Sequence, residues 1–577
     1  MSNKIKIITF AALCLIGTGV AFVCLSPAGS FISRATGYDK SIVATLALIP
    51  LDDRPASTQF VQMIGGIADC RMLLPPADAL GHFTKPADAS KIHNWLMNTD
   101  FSHVDGLIVS ADMLAYGGLI ASRVPTTSVE WAKHRLDVLR DIRKKYPDLP
   151  IYLFSSVMRV APTSEKRTRA FRDDLSYYVQ YIERARETQD PKFIAKAEAL
   201  RKRLTPETIN SYFRTRSRNL EVNQYTVQLA KEGIIDYLLL CQDDAQPYGP
   251  HHQDQRLVLE KFKKANIENK ALLMEGIDEA ANVLTSRAIL AKLGITPKIA
   301  VFYTSEAGRN LPGPFENRPV AKTVEYHAIA AGAQIVSNSS DADYCLYVNT
   351  PMRTEAEFKK FTENLIKDVR SGKEVAIADL NFSQYSGGGD TKLIKSLMNS
   401  NVGHRVIAYA GWNTPGNTLG TTIPQANLYL MAKRVLFDDT DRMGRCEKAQ
   451  REFLMHRYVS DYGYHTIVRP KVYNYISTVL HQPVDEMDPA CLPQANAYVQ
   501  EQMNGIIRTF SETMFRGRRF ELHSGNQDYT FTIQSIDWQV ELPWPRAYEV
   551  HVDLNFNTNV RANNQPKGAQ SNASARL

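Results

Sequence analysis

An α/β fold on parallel sheet is predicted by three features of the sequence. Short β-branched or aliphatic runs alternate with helical stretches from residue 42 to about residue 435. Most runs are apolar at every position rather than at every second one, which marks strands covered on both faces. The stretches between them are long enough for the crossover helices that parallel pairing requires.

In order, the candidate strands are 42–49, 72–74, 106–109, 151–154, 237–241 and 271–274, then 299–303, 334–337, 344–348, 375–378 and 405–410. Helical stretches such as 129–146, 255–265 and 355–371 separate them. Eleven strands exceed the eight of one barrel. The expectation is therefore a TIM-barrel-like or doubly wound parallel sheet over 41–295, with the barrel preferred. A Rossmann- or flavodoxin-like region over 296–435 follows, the boundary falling near 293–298.

After about residue 440 the alternation stops. Residues 445–515 read as helices rich in Tyr, Met and Arg, and 520–531 and 538–554 as antiparallel strands. Pro543 and Pro545 should limit pairing at an edge. Together 440–554 form a small α+β region. The stretch 555–577 is rich in Asn, Ala, Gln and Ser and is expected to be disordered.

The first thirty residues differ in kind. Lys4 and Lys6 precede the uncharged run 7–25, and Ser26, Pro27, Ala28, Gly29 and Ser30 follow it. That pattern is an export signal. The run is also just long enough to span a bilayer, so it serves equally as an inner-membrane anchor. A periplasmic or secreted location is expected.

Composition limits the function classes. The chain has 577 residues, 44% of them hydrophobic, and Lys+Arg of 68 against Asp+Glu of 61. The surplus of +7 is too small at this length to suggest nucleic acid as a partner. No CxxC or Cys/His spacing suits a structural zinc. Cys446 and Cys491 are available to pair in an oxidising compartment. Residues 166–218 hold 14 Lys/Arg and 7 Asp/Glu, the same surplus as the whole chain. This helical insertion either presents cations over a strand-end cleft or is a solvated hairpin.

Chemistry concentrates just after the strands, at the edge where parallel α/β folds bind ligands. Asp52, Asp53 and Arg54 follow the first run, Asp112 the third and Arg159 the fourth. Gln242, Asp243 and Asp244 follow the fifth, and Glu275, Asp278 and Glu279 the sixth. Carboxylates at so many strand ends imply one polar cleft. Asp278 and Glu279 also open a helix, where acids suit the dipole. Beyond the last run, Trp412, Asn413 and Asn417 place an aromatic face beside amides, a pattern suited to a saccharide. Alternatively they form a packed Trp and an Asn-stabilised turn. His251-His252 reads as a surface loop, and 383–390 as a glycine-rich loop before a helix.

Three of these segments are long and specific: Leu48-Ile49-Pro50-Leu51-Asp52-Asp53-Arg54-Pro55, Leu239-Leu240-Cys241-Gln242-Asp243-Asp244-Ala245-Gln246-Pro247, and 410–421 around Gly411-Trp412-Asn413-Thr414-Pro415-Gly416-Asn417. They resemble an uncharacterised bacterial family, domain of unknown function 4127, over roughly 44–550. The resemblance implies no activity. Cys241 departs from it, standing where a small residue such as Gly is expected.

Asp243-Asp244 also resembles the paired acids of substrate-assisted N-acetylhexosaminidases. There one acid orients the acetamido group and the other protonates the glycosidic oxygen. Two adjacent carboxylates cannot both ionise freely, so one should become the weaker acid. The leading expectation is an exported glycoside hydrolase acting on an envelope or extracellular glycan, without a cofactor. Asp243, Asp244 and Glu275 carry the chemistry. Asp52, Asp53, Arg54, Asp112, Arg159, Gln242, Trp412, Asn413 and Asn417 bind the sugar. The rivals are a hydrolase, deacetylase or phosphoesterase, using a divalent metal ion on the same acids, and a non-catalytic envelope protein that binds an anionic glycan through 166–218.

Overall fold

The computed structural model describes residues 42–382, 387–524 and 527–563. Residues 1–41, with the expected export segment, together with 383–386, 525–526 and 564–577, lie outside them. The apolar runs form two parallel sheets. The first contains β1 (Ala44–Ile49), β2 (Cys70–Leu73), β3 (Gly106–Ser110), β4 (Ile151–Val157), β5 (Tyr237–Gln242) and β6 (Ala271–Glu275), in the order β2-β1-β3-β4-β5-β6. The second contains β7 (Lys298–Tyr303), β8 (Gln334–Ile335), β9 (Tyr344–Asn349), β10 (Val375–Asp379) and β11 (Ala408–Ala410), in the order β8-β7-β9-β10-β11.

The barrel expectation is corrected. In the first sheet β2 and β6 are opposite edges and do not pair. Only six strands precede the break, too few for the eight-stranded closure of that barrel. Because β2 and β3 flank β1 on opposite sides, the sheet is doubly wound, with a switch point between β1 and β3. The second sheet repeats the same order, its switch point falling between β7 and β9.

One helix joins the sheets. Thr414 caps Pro415–Val435, its hydroxyl accepting from the Asn417 N–H, and Pro415 occupies the first turn, where no N–H is needed. Every residue from Pro415 to Ala432 is buried. Several of its polar side chains find partners within the protein: the Thr421 and Thr422 hydroxyls donate back to Asn417 and Thr418 carbonyls, and Asn427 accepts from the Tyr344 hydroxyl at 3.1 Å. One apolar core runs from Leu46 and Leu48 of the first sheet through Leu419 and Ile423 to Leu346 and Val348 of the second.

The insertion folds as helices Arg172–Thr188, Pro191–Arg201 and Pro206–Lys231 around a small core of Leu175, Tyr178, Val179 and Tyr212. The C-terminal region adds helices Thr440–Arg457 and Leu492–Phe510 and a sheet of β12 (Arg519–Ser524), β13 (Gln527–Glu541) and β14 (His551–Ala562). Here β13 runs unbroken across the expected gap at 531–538. β14 continues to Ala562, so 555–562 is strand rather than disordered, held by pairing with β13 and by buried Phe556. Pro543 and Pro545 lie in the connection between them. All five described cysteines are free, Cys446 and Cys491 included. Cys241 is fully buried in the core.

Candidate active site at the edge of the first sheet

The carboxyl ends of β1, β4, β5 and β6 carry a connected set of acids and arginines. In the loop after β1, Asp52 is held by the Arg54 side chain at 2.7 Å and the Ser57 hydroxyl at 2.9 Å. The same guanidinium reaches Asp278, after β6, at 2.8 Å. Asp53 turns the other way, accepting from the Trp544 indole at 2.7 Å and from His82 Nδ1 at 2.6 Å. The bond to Asp53 raises the His82 pKa.

Asp243 and Asp244 leave β5 together. Asp243 accepts from the Arg123 guanidinium, which also holds Thr163 at 3.0 Å, and from the Asp244 N–H at 3.0 Å. Asp244 pairs with Arg159. Burial alone would weaken both acids. For Asp243, Arg123 and Arg159 outweigh burial, and its carboxyl sits below the usual range. For Asp244 burial wins over Arg159, helped by the neighbouring Asp243 charge, and its carboxyl sits above that range. The two adjacent acids are thus pushed apart.

Arg159 is held from behind by the insertion. Arg216 of helix Pro206–Lys231 donates to the carbonyls of Met158, at 2.8 Å, and of Arg159, and pairs with Asp254. The Tyr212 hydroxyl donates to the Val160 carbonyl at 2.9 Å. The insertion therefore packs on the loop after β4, and its buried arginine spends its charge on the scaffold.

Glu275 stands beside the aspartate pair, since Gln242 and Glu275 are register partners on β5 and β6. Its Oε2 accepts from Arg318 at 3.1 Å, while its buried Oε1 has no partner. Burial raises its pKa, with Arg318 opposing. Two further acids lie close by. Glu279 meets His327 at 3.3 Å and the Asn417 amide, and Asn417 in turn accepts from Asn413 at 2.6 Å. Glu316 accepts from the Gly416 N–H and the Thr323 hydroxyl, and burial beside the Glu275 charge pushes it well above the carboxylate range. Here the first sheet's edge meets the start of the joining helix. A Cβ on Gly416 would stand 2.9 Å from the Glu275 carbonyl, and one on Gly420 2.0 Å from Glu279 Cγ, so glycine permits this approach.

Some expected residues face elsewhere. Asp112 turns inward, accepting from the Ser156 N–H at 2.8 Å and the Ser156 hydroxyl, and ties β3 to β4. Gln242 lies beneath the aspartates, accepting from Gln255 at 2.8 Å. Trp412 is packed edge-on to Phe60, its indole N–H on the Thr421 hydroxyl at 3.2 Å, so its ring belongs to the core. Asn413, with φ of 59°, and Asn417 form the turn into the joining helix. His251 is fully buried at the start of helix His251–Ala265, not on a surface loop.

Sequence reasoning missed Arg123, Arg318, Glu316, His82 and Trp544. A search for arginines in number with the strand-end acids would have raised Arg123 and Arg318. Nothing local marks Trp544, almost five hundred residues from Asp53. Among the described residues, no group of three or more His, Cys, Asp or Glu side chains could hold a metal ion. No curated protein is significantly similar to the chain. A model of the family described as a protein of unknown function, DUF4127, matches residues 46–553, spanning both sheets and most of the C-terminal region, and the chain belongs to that family.

Proposed function

We propose that the protein hydrolyses glycosidic bonds in an envelope or extracellular glycan after export. The observation that supports this reading is the splitting of Asp243 and Asp244 at the end of β5. One carboxylate is kept ionised by Arg123, and its neighbour is made a weaker acid by burial and by that charge. Two neighbouring carboxyls of unequal acidity are what acid-assisted glycoside cleavage needs.

In the proposed reaction, Asp244 gives its proton to the glycosidic oxygen as the C1–O bond breaks. Asp243 orients an acetamido group whose carbonyl oxygen attacks C1 and carries the developing positive charge. Water then opens that cyclic intermediate, and its proton returns to Asp244. Arg54 and Arg159, which hold Asp278 and Asp244 in the free protein, bind hydroxyl or acidic groups of the sugar. Glu275, with one oxygen unpartnered, takes a further hydroxyl. If the substrate lacks an acetamido group, Glu275 is the second carboxylate. No cofactor is invoked. A divalent metal ion on these acids would sit among Arg54, Arg123, Arg159 and Arg318, whose charges oppose it.

The test is to replace Asp243 and Asp244 singly with Asn and assay aryl N-acetylglucosaminides and peptidoglycan or capsule fragments. Each variant should lose about 10²- to 10⁴-fold in turnover. Full activity in both overturns the assignment. Export rests on residues 7–25; among the described residues no helix is long and apolar enough to cross a membrane. Fractionation of expressing cells places the chain inside or outside the inner membrane.

A further inference from the structure

A groove of about 580 Å³ lies on the first sheet's flank, between helices Ala89–Asn98, Val129–Leu136 and Val138–Lys145. It shares no residue with the strand-end acids. At its wall Trp131 is 61% exposed, although an indole carries one of the largest apolar surfaces of any side chain. A single exposed aromatic is ordinary. Its place on the helix is fixed at the backbone, where the Ser128 hydroxyl accepts from the Trp131 main-chain N–H at 3.3 Å, and the His134 ring stands edge-on to the indole at 5.6 Å.

The rest of the lining is polar. His93, Asn94, Thr126 and Asp141 are exposed around it, and among the described residues their side chains have no hydrogen-bond or ion-pair partner. An open indole face ringed by free amide, imidazole, hydroxyl and carboxylate groups has one natural complement. A pyranose with equatorial hydroxyls presents an apolar C–H face for the ring and a hydroxyl rim for the polar groups. The signs of charge are mixed, with Arg135 against Asp137 and Asp141, which favours a neutral sugar over a polyanion.

We propose that this groove is a second, non-catalytic saccharide site, stacking a glucose- or N-acetylglucosamine-type residue of a neutral chain on Trp131. His93, Asn94 and Asp141 fix its hydroxyls. The site would hold a polymer against the protein while another part of the chain is used elsewhere, raising the local concentration of substrate. It rests on the groove and is read without turnover, so its failure and that of the hydrolytic reading are separable.

The experiment uses the full chain and its Asp244→Asn form, titrated calorimetrically with chitotetraose and cellotetraose. Binding by at least one of them is expected, read in Asp244→Asn so that turnover does not consume the sugar. Trp131→Ala should weaken it by about tenfold or more, and Trp131→Phe, which keeps an aromatic face, should recover part of the loss. Trp131 is exposed, so neither change threatens the fold, and turnover of a small aryl glycoside should be unaltered by either. Absence of binding of both sugars up to about 10 mM, or equal binding by Trp131→Ala, overturns the proposal.

Discussion

The two parallel sheets share one strand order, yet their carboxyl edges are finished differently. At the second edge the two carboxylates after β10, Asp379 and Asp390, have every oxygen taken up locally. Asp379 accepts from the Asn349 amide at 2.7 Å, the Asp390 N–H at 2.7 Å and the Tyr409 hydroxyl at 3.3 Å. Asp390 accepts from Asn381 at 3.1 Å, Asn349 at 3.2 Å, the Lys392 N–H at 2.9 Å and Arg353. The first edge pairs acids with arginines borrowed from distant loops and leaves Glu275 Oε1, Arg123 Nε and Arg159 Nε buried without partners. Buried polar atoms without partners are costly, so a network that keeps them is arranged for something other than stability. Topology offers both edges to a ligand, and both keep buried polar atoms without hydrogen-bond partners, the second at Asp461 Oδ1, Arg457 Nε and His465 Nδ1 behind Gly389 and Gly411. What sets the first apart is its row of acids paired with distant arginines.

The largest effect should separate the edges by activity. Asp244→Asn removes the proposed proton donor and should cost about 10²- to 10⁴-fold in turnover. Asp379→Asn, at the end of β10, should leave kcat/KM for the same glycoside within a few-fold. Equal losses would mean the two edges act as one site.

Arginine removal comes next. Asp243 and Arg123 are each 7% exposed, so Arg123→Ala strands a buried charge and should destabilise by about 3–5 kcal/mol. Arg353→Ala should cost less, about 1–2 kcal/mol, because Asp390 keeps three other donors. Urea denaturation measures both. Adding Asp243→Asn to Arg123→Ala should restore part of the loss.

The second edge also makes stability depend on pH. Burial, with the Asp390 charge beside it, raises the Asp379 carboxyl to about 7. The folded chain keeps this proton to near neutrality, whereas the unfolded chain releases it near pH 4. Between these values the unfolded state binds fewer protons, so stability falls as pH rises and levels off above pH 7. The advantage of the wild type over Asp379→Asn should therefore shrink by up to about 4 kcal/mol across that window. A constant gap would mean that Asp379 titrates normally.

What was legible in the sequence follows from where the information sits. Continuous apolar runs mark doubly covered strands locally, so β1 to β11 could each be read from their own residues, as could the break between Leu293 and Lys298. Closure could not: whether β6 pairs with β2 depends on strand count and tilt, and the preferred barrel failed there. The acids after β1, β5 and β6 were visible because the polar residues directly follow apolar strands. Their partners were not, since Arg123, Arg318 and Trp544 are gathered only by the fold. Trp412 misled for a related reason. Beside two asparagines an indole reads as a sugar platform, but Phe60 and Thr421, which enclose it, are set by tertiary packing.

A last prediction tests that long-range part directly. Trp544, 1% exposed, donates its indole N–H to Asp53 and stands over the Arg54 guanidinium at 5.1 Å. Trp544→Phe keeps an aromatic ring against Phe83 and Arg54 but removes the donor, which should cost about 1–3 kcal/mol because the acceptor is a carboxylate. Asp53 would then keep His82 as its main side-chain partner. A carboxylate with one donor fewer holds the remaining imidazolium more tightly, so the His82 pKa, already raised by that bond, should rise further. An NMR titration of His82 in the two proteins reads the shift. If the titration does not move while stability falls, Trp544 only fills space; if it moves up, the C-terminal region sets the charge balance beside the site from across the chain.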